Sequence, residues 1–121
     1  MNKFIPFGFQ YYRAPTPERT EWARDLNNIA AYGYNTVKYW IQWRWNEPKK
    51  GEYDFSDIDE LMDLAEKNGL KVVLNTILEV TPVWLDKEYP DSAMISARGE
   101  RVAGYASALS SSPILSRSFL A

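Results

Sequence analysis

The 121-residue sequence contains no cysteine and no histidine. The first absence removes disulfides, thiolate catalysis and cysteine-ligated zinc. The second removes the commonest general base and the commonest metal ligand. Any chemistry therefore falls to carboxylates, hydroxyls, lysine and arginine, and no metal site is expected. A strong charge of either sign is also missing: 14 Lys+Arg against 16 Asp+Glu leave a net charge of −2. A nucleic-acid or anionic-membrane partner would need a basic face, so neither is expected. No window approaches the ~18–20 consecutive apolar residues of a membrane helix. The opening Met1-Asn2-Lys3-Phe4 lacks the apolar run of a signal peptide, so the expected location is cytoplasmic.

What is present is ordinary in bulk and unusual in one respect. Hydrophobic residues make up 45% and charged residues 25%, a soluble composition for which the length suggests about one small domain. Aromatic residues reach 15%, with five Trp and eight Tyr, which suits a surface that recognises something flat, such as a sugar face.

The chain reads as strand, helix, strand, helix, strand. Phe4 to Tyr12 is an apolar-aromatic run that fits a short buried strand. Thr16-Pro17 offers an N-cap with proline at the first helical position, followed by Trp22, Leu26, Ile29 and Ala30 on one helical face and Gly33 as the stop. Asn35 to Ile41 is rich in residues that fit a pleated surface. Ser56 opens a second helix with Asp59 completing a variant capping box. Ile58, Leu61, Met62 and Ala65 form its apolar face, and Asn68-Gly69 ends it. Leu70 to Thr76 is the third strand. Starts near 4, 35 and 70 keep the roughly 30-residue βαβ spacing, which implies a parallel α/β sheet. A doubly wound nucleotide binder needs a glycine-rich turn after its first strand. Tyr11-Tyr12-Arg13-Ala14-Pro15-Thr16-Pro17 has no glycine, so a (β/α)8 barrel is the surviving architecture, with its function on the loops that follow the strands. Residues 103–121, with Ser110-Ser111-Ser112, change character and are expected to be an irregular tail, diverged or read in another frame.

Three strand-end loops hold the candidate site residues. Tyr11, Tyr12 and Arg13 follow the first strand, and paired tyrosines there usually pack with a hydrogen-bonded tip. In the second loop Trp43 and Trp45 would share one face of an extended segment, either to stack on a sugar or to plug the barrel mouth. Glu47, just before Pro48, suits a structural carboxylate that accepts loop N–H bonds. The third loop carries Glu79. A retaining glycosidase needs two carboxylates about 5–5.5 Å apart. Nothing local marks Glu47 and Glu79 as that pair.

The ordered motifs are more specific than any single residue. Phe9-Gln10-Tyr11-Tyr12, Trp22 to Leu26, Gly33 to Lys38, Trp43 with Glu47-Pro48, Gly51 to Phe55, Ile58-Asp59, Asn68 to Thr76, Pro82 to Leu85, Tyr89-Pro90 and Arg98 to Arg101 succeed one another along the chain. Together they resemble the N-terminal barrel segment of glycoside hydrolase family 42 β-galactosidases. The resemblance implies a partial (β/α)8 barrel, roughly its first three βα units, over residues 1–102. It implies a retaining exo-glycosidase that takes a galactoside or related glycoside substrate and needs no cofactor, with full-length members forming homo-oligomers. The family's acid/base glutamate follows the fourth strand and its nucleophile the seventh. No catalytic residue is therefore expected here, and this chain alone is expected to be an inactive fragment. The resemblance assigns Lys38 and Trp43 to substrate binding. Lys38 stands where the family usually has an arginine, keeping the charge without the bidentate fork. That change, and a Lys38–Trp43 spacing one residue short of the usual pattern, point to a divergent branch and leave its substrate open between a plain β-galactoside and a related glycoside. The competing expectation is a stand-alone carbohydrate-binding or interaction module that uses the Trp43/Trp45 loop.

Overall fold

The computed structural model describes residues 3–77 and 80–102. The expected tail over 103–121 and the candidate Glu79 lie outside those residues. The chain divides into two compact units. One comprises the described residues of 1–42 and 54–76, the other those of 43–53 and 77–121.

The first unit carries β1 (Gly8–Arg13), α1 (Arg19–Ala31), β2 (Thr36–Gln42), α3 (Ser56–Lys67) and most of β3 (Lys71–Ile77). The strands form one sheet in the order β1-β2-β3. β1 and β2 run parallel, with Gly8 opposite Thr36 and Arg13 opposite Trp40, and the register slips between Gln10 and Tyr12. Tyr11 is the extra residue, which explains how Tyr11 and Tyr12 both pack with the helix-side core despite being neighbours.

Alternation along β2 divides the two faces of the sheet. Val37 and Tyr39, both fully buried, and half-buried Ile41 join Trp22, Leu26 and Ile29 of α1 and Ile58, Leu61 and Ala65 of α3 in one core. The intervening positions are Thr36, Lys38, Trp40 and Gln42. These four lie on the face turned away from the helices. Gln42 is buried there and donates to the Ala14 carbonyl at 2.7 Å. At the outer edge, Val73 and Leu74 of β3 are about half exposed although they point to opposite faces.

The local signals hold with three differences. Gly33 and Gly69 end their helices at φ +86° and +68°, a conformation that favours glycine. Pairing starts at Gly8 rather than Phe4, and Phe4, Ile5 and Phe7 are exposed. The Asn35 side chain adds to the backbone bonds that the Phe7 carbonyl accepts there, accepting from the Phe7 N–H at 2.8 Å and donating to the Ile5 carbonyl at 2.9 Å. Neither expected helix cap forms. Thr16 instead closes a tight turn with Arg13, and α1 begins at Arg19. At α3 it is the Asp54 carboxylate, rather than Asp59, that accepts the Ser56 N–H at 2.9 Å, and this holds Asp54 below the usual carboxylate range. Met62 is 38% exposed, at the margin of the helical face.

The second unit contains α2 (Trp43–Asn46), α4 (Val83–Glu88) and an antiparallel pair, β4 (Met94–Ile95) with β5 (Arg101–Val102). No helix among the described residues is long and apolar enough to cross a membrane.

Candidate functional site

The parallel register of β1 and β2 assembles the candidate residues of the first unit. Arg13 is the direct partner of Trp40, and Lys38 lies two residues before Trp40, so all three share the helix-free face. The Arg13 guanidinium carbon lies 5.3 Å and the Lys38 ammonium 5.1 Å from the centroid of the Trp40 ring. Both distances are within cation–π range. Lys38 and Trp40 are half-buried and Arg13 is exposed. The Trp40 indole N–H is buried with no hydrogen-bond partner among the described residues.

The two tyrosines of the first loop serve the core. The Tyr11 hydroxyl donates to Asp25 at 3.2 Å and the Tyr12 hydroxyl donates to Asp57. Burial, then the facing carboxylate, pushes both phenols well above their ordinary range, so they stay protonated donors.

The second unit holds the tryptophan loop, and here the sequence expectation needs correction. Residues 43–46 form a helical turn rather than an extended segment, so Trp43 and Trp45 do not share a face. Trp45 is 48% exposed. Trp43 packs edge-on against Trp84 with ring centroids 6.1 Å apart, and its indole N–H donates to Glu47 Oε2 at 2.5 Å. Glu47 organises the loop. Its Oε1 accepts the Gly51 N–H at 2.8 Å, and its backbone carbonyl accepts the Trp84 indole N–H at 3.1 Å. Arg44 adds two bonds to the Thr81 carbonyl at 2.8 and 2.7 Å. A carboxylate that accepts donors on both oxygens is structural, as its place before Pro48 suggests.

The Gly51 N–H, then the Trp43 indole, hold the Glu47 carboxyl below its ordinary value of 4.5, against partial desolvation and with help from Tyr53 and Lys50. A carboxyl depressed in the folded state stabilises the loop fully above its unfolded value, and that stabilisation disappears as pH falls through the folded one. The Trp43 indole N–H resonance should therefore titrate with a midpoint below 4.5, and Glu47→Gln should abolish that titration. A midpoint at or above 4.5 would show that the carboxylate is not held as described.

Of the residues expected to bind substrate, Lys38 thus stands in the first unit with Arg13 and Trp40, and Trp43 in the second with Glu47 and Trp84. Trp40 was not singled out from the sequence. The Lys38-x-Trp40 alternation was its only local sign, and the partnership with Arg13 depends on the register slip. No group of three or more carboxylates that could hold a metal ion occurs among the described residues.

Residues 10–118 match the family described as glycoside hydrolase family 42, beta-galactosidase. The chain belongs to this family. The family 42 match spans both units. Among relatives, the chain is 33% identical over 97 residues to the beta-galactosidase LacZ of Heyndrickxia coagulans, covering 77% of this chain and 15% of that protein. It is also 33% identical over 99 residues to an exo-beta-D-glucosaminidase of Pyrococcus horikoshii, covering 74% of this chain and 12% of that one. The solved beta-galactosidase from the psychrophilic Marinomonas ef1 superposes with a TM-score of 0.69 at 26% identity, over 82% of this chain and 15% of that one. The family 42 chain therefore spans roughly one seventh of the length of the relatives it matches. Its fold is α/β, a partial (β/α)8 barrel.

Proposed function

We propose that the chain supplies the opening βα units of a retaining β-galactosidase-type glycoside hydrolase and cleaves no glycoside by itself. The observation that carries this reading is the family match over residues 10–118 on three strands of the sheet. Retaining hydrolysis needs an acid/base and a nucleophile carboxylate about 5–5.5 Å apart. The family places these after strands four and seven. Glu47, the carboxylate of the second strand-end loop, has both oxygens occupied by donors. The substrate class is a terminal glycoside, since the named relatives act as a beta-galactosidase and an exo-beta-D-glucosaminidase. The reading of the chain as a stand-alone module on the Trp43/Trp45 loop has less support. Trp43 is committed to Glu47 and Trp84, and the two indoles do not form one platform.

The test is an assay of the folded 121-residue chain with nitrophenyl β-galactoside and nitrophenyl β-glucosaminide. Neither should be hydrolysed above the buffer rate. Turnover that survives purification and disappears in Glu79→Gln would overturn the proposal and restore a local carboxylate pair.

A further inference from the structure

The inner face of β1 and β2 holds two positive charges that have no counter-ion among the described residues. The ion pairs among the described residues are Arg19–Glu60, Arg24–Glu21, Arg24–Asp25, Lys49–Glu52 and Lys50–Glu88, and neither Arg13 nor Lys38 takes part. Asp25 is the acid that lines the same shallow depression as Arg13, Gln10 and Tyr11. Its carboxylate is already taken by the Tyr11 hydroxyl and by Arg24. Both cations nevertheless lie against one indole ring, where their like charges repel. That ring also carries a buried N–H with no acceptor among the described residues, itself unfavourable. Two cations held on one aromatic ring together suit a ligand that brings an anion and an apolar ring face.

We propose that Arg13, Lys38 and Trp40 form a subsite for a sugar that carries a negatively charged substituent, a carboxylate or a phosphate. The proposal rests on the glycoside-binding reading above and narrows it to acidic sugars. The anion lies between the guanidinium and the ammonium, and Arg13 contributes the planar fork that Lys38 lacks. The C–H face of the sugar lies on the Trp40 ring as the cation heads move off it.

The test uses the folded chain, labelled with 15N, titrated separately with galacturonate, galactose 6-phosphate, galactose and inorganic phosphate. The readout is the Trp40 indole N–H resonance, assigned by its loss in Trp40→Phe. At least one acidic sugar should shift it saturably and bind about tenfold tighter than galactose, as charge-assisted contacts predict. The stronger of the two separates a carboxylate from a phosphate preference. In Arg13→Gln and Lys38→Gln that preference over galactose should fall towards unity, and Lys38→Arg should restore it, each variant being checked for a wild-type amide spectrum. Galactose binding as tightly as both acidic sugars would overturn the subsite while leaving the glycoside reading intact. Inorganic phosphate binding as tightly as galactose 6-phosphate would reduce the cluster to a plain anion site, overturning the sugar part and counting against the glycoside reading. No shift with any of the four at millimolar concentration would overturn the proposal outright.

Discussion

Leu61→Ala is expected to remove about 3–4 kcal/mol of folding stability, within the usual cost of a leucine truncated in a packed core. Leu61 is fully buried in α3, in the core that joins the helices to β2. Its truncation would leave a void between elements whose positions are fixed by other contacts. The Tyr39 hydroxyl, fully buried on β2, donates to the Leu61 carbonyl at 3.0 Å, so the helix backbone is tied to the sheet at this residue and cannot simply slide inward. Burial holds the Tyr39 phenol well above its ordinary range, which keeps that donor protonated across the working pH range. Marginally stable domains have only about 5–15 kcal/mol in total, so the loss should appear as a large fall in the urea midpoint. Met62→Ala, next along the helix but 38% exposed, is the internal control and should cost under about 1 kcal/mol. Equal midpoints for the two variants would mean that the helical face is assigned wrongly.

That pair of neighbours also shows what the sequence could and could not reveal. The 3.6-residue period marks Ile58, Leu61 and Ala65 as the buried stripe, and they are buried. Met62 has the same hydrophobicity and sits at the stripe's edge, where exposure depends on what stands beside the helix. The strands were legible because β-branched and aromatic residues cluster between turn signals, and Gly33 and Gly69 marked the helix ends because the backbone there needs positive φ.

What was illegible depends on contacts between distant residues or on competition between local ones. A segment with tryptophans two apart reads as extended, but the Glu47 carboxylate gathers Trp43 and Gly51 around it, and the four residues before it curl into a helical turn. The sequence identified Glu47 as structural without showing that this role would use up the Trp43 indole. Thr16 had the right chemistry for an N-cap but found Arg13 first, a competition that short polar side chains often win over the helix. The cluster of Arg13 and Lys38 on Trp40 needs the extra residue at Tyr11, because without that slip Arg13 would not face Trp40. A one-residue irregularity in a strand leaves no composition signal.

Gly8→Ala tests the same register from its other end. Gly8 opens β1 opposite Thr36, and an added Cβ would fall directly onto the Thr36 carbonyl, with the rest of the Thr36 backbone close behind. Backbone cannot rotate out of the way as a side chain can, so the strand itself must move. The movement would strain the contacts that start the sheet. These are the Asn35 bonds to Ile5 and Phe7, the stacking of Phe7 on Tyr34 at 4.9 Å, and the edge contact of Phe9 with Tyr34 at 5.1 Å. A single added methyl group should therefore cost about 3 kcal/mol, the upper end of the range for overpacking. The amides of Phe9 and Lys38 should lose exchange protection before those of α3, because the damage begins at the β1–β2 ladder. Gly69→Ala supplies the contrast. Its Cβ would meet no atom within 4 Å, so only the strain of φ +68° is added, costing about 1 kcal/mol. If Gly8→Ala were no worse than Gly69→Ala, the close approach of β1 to Thr36 would be wrong, and with it the register that brings Arg13 to Trp40.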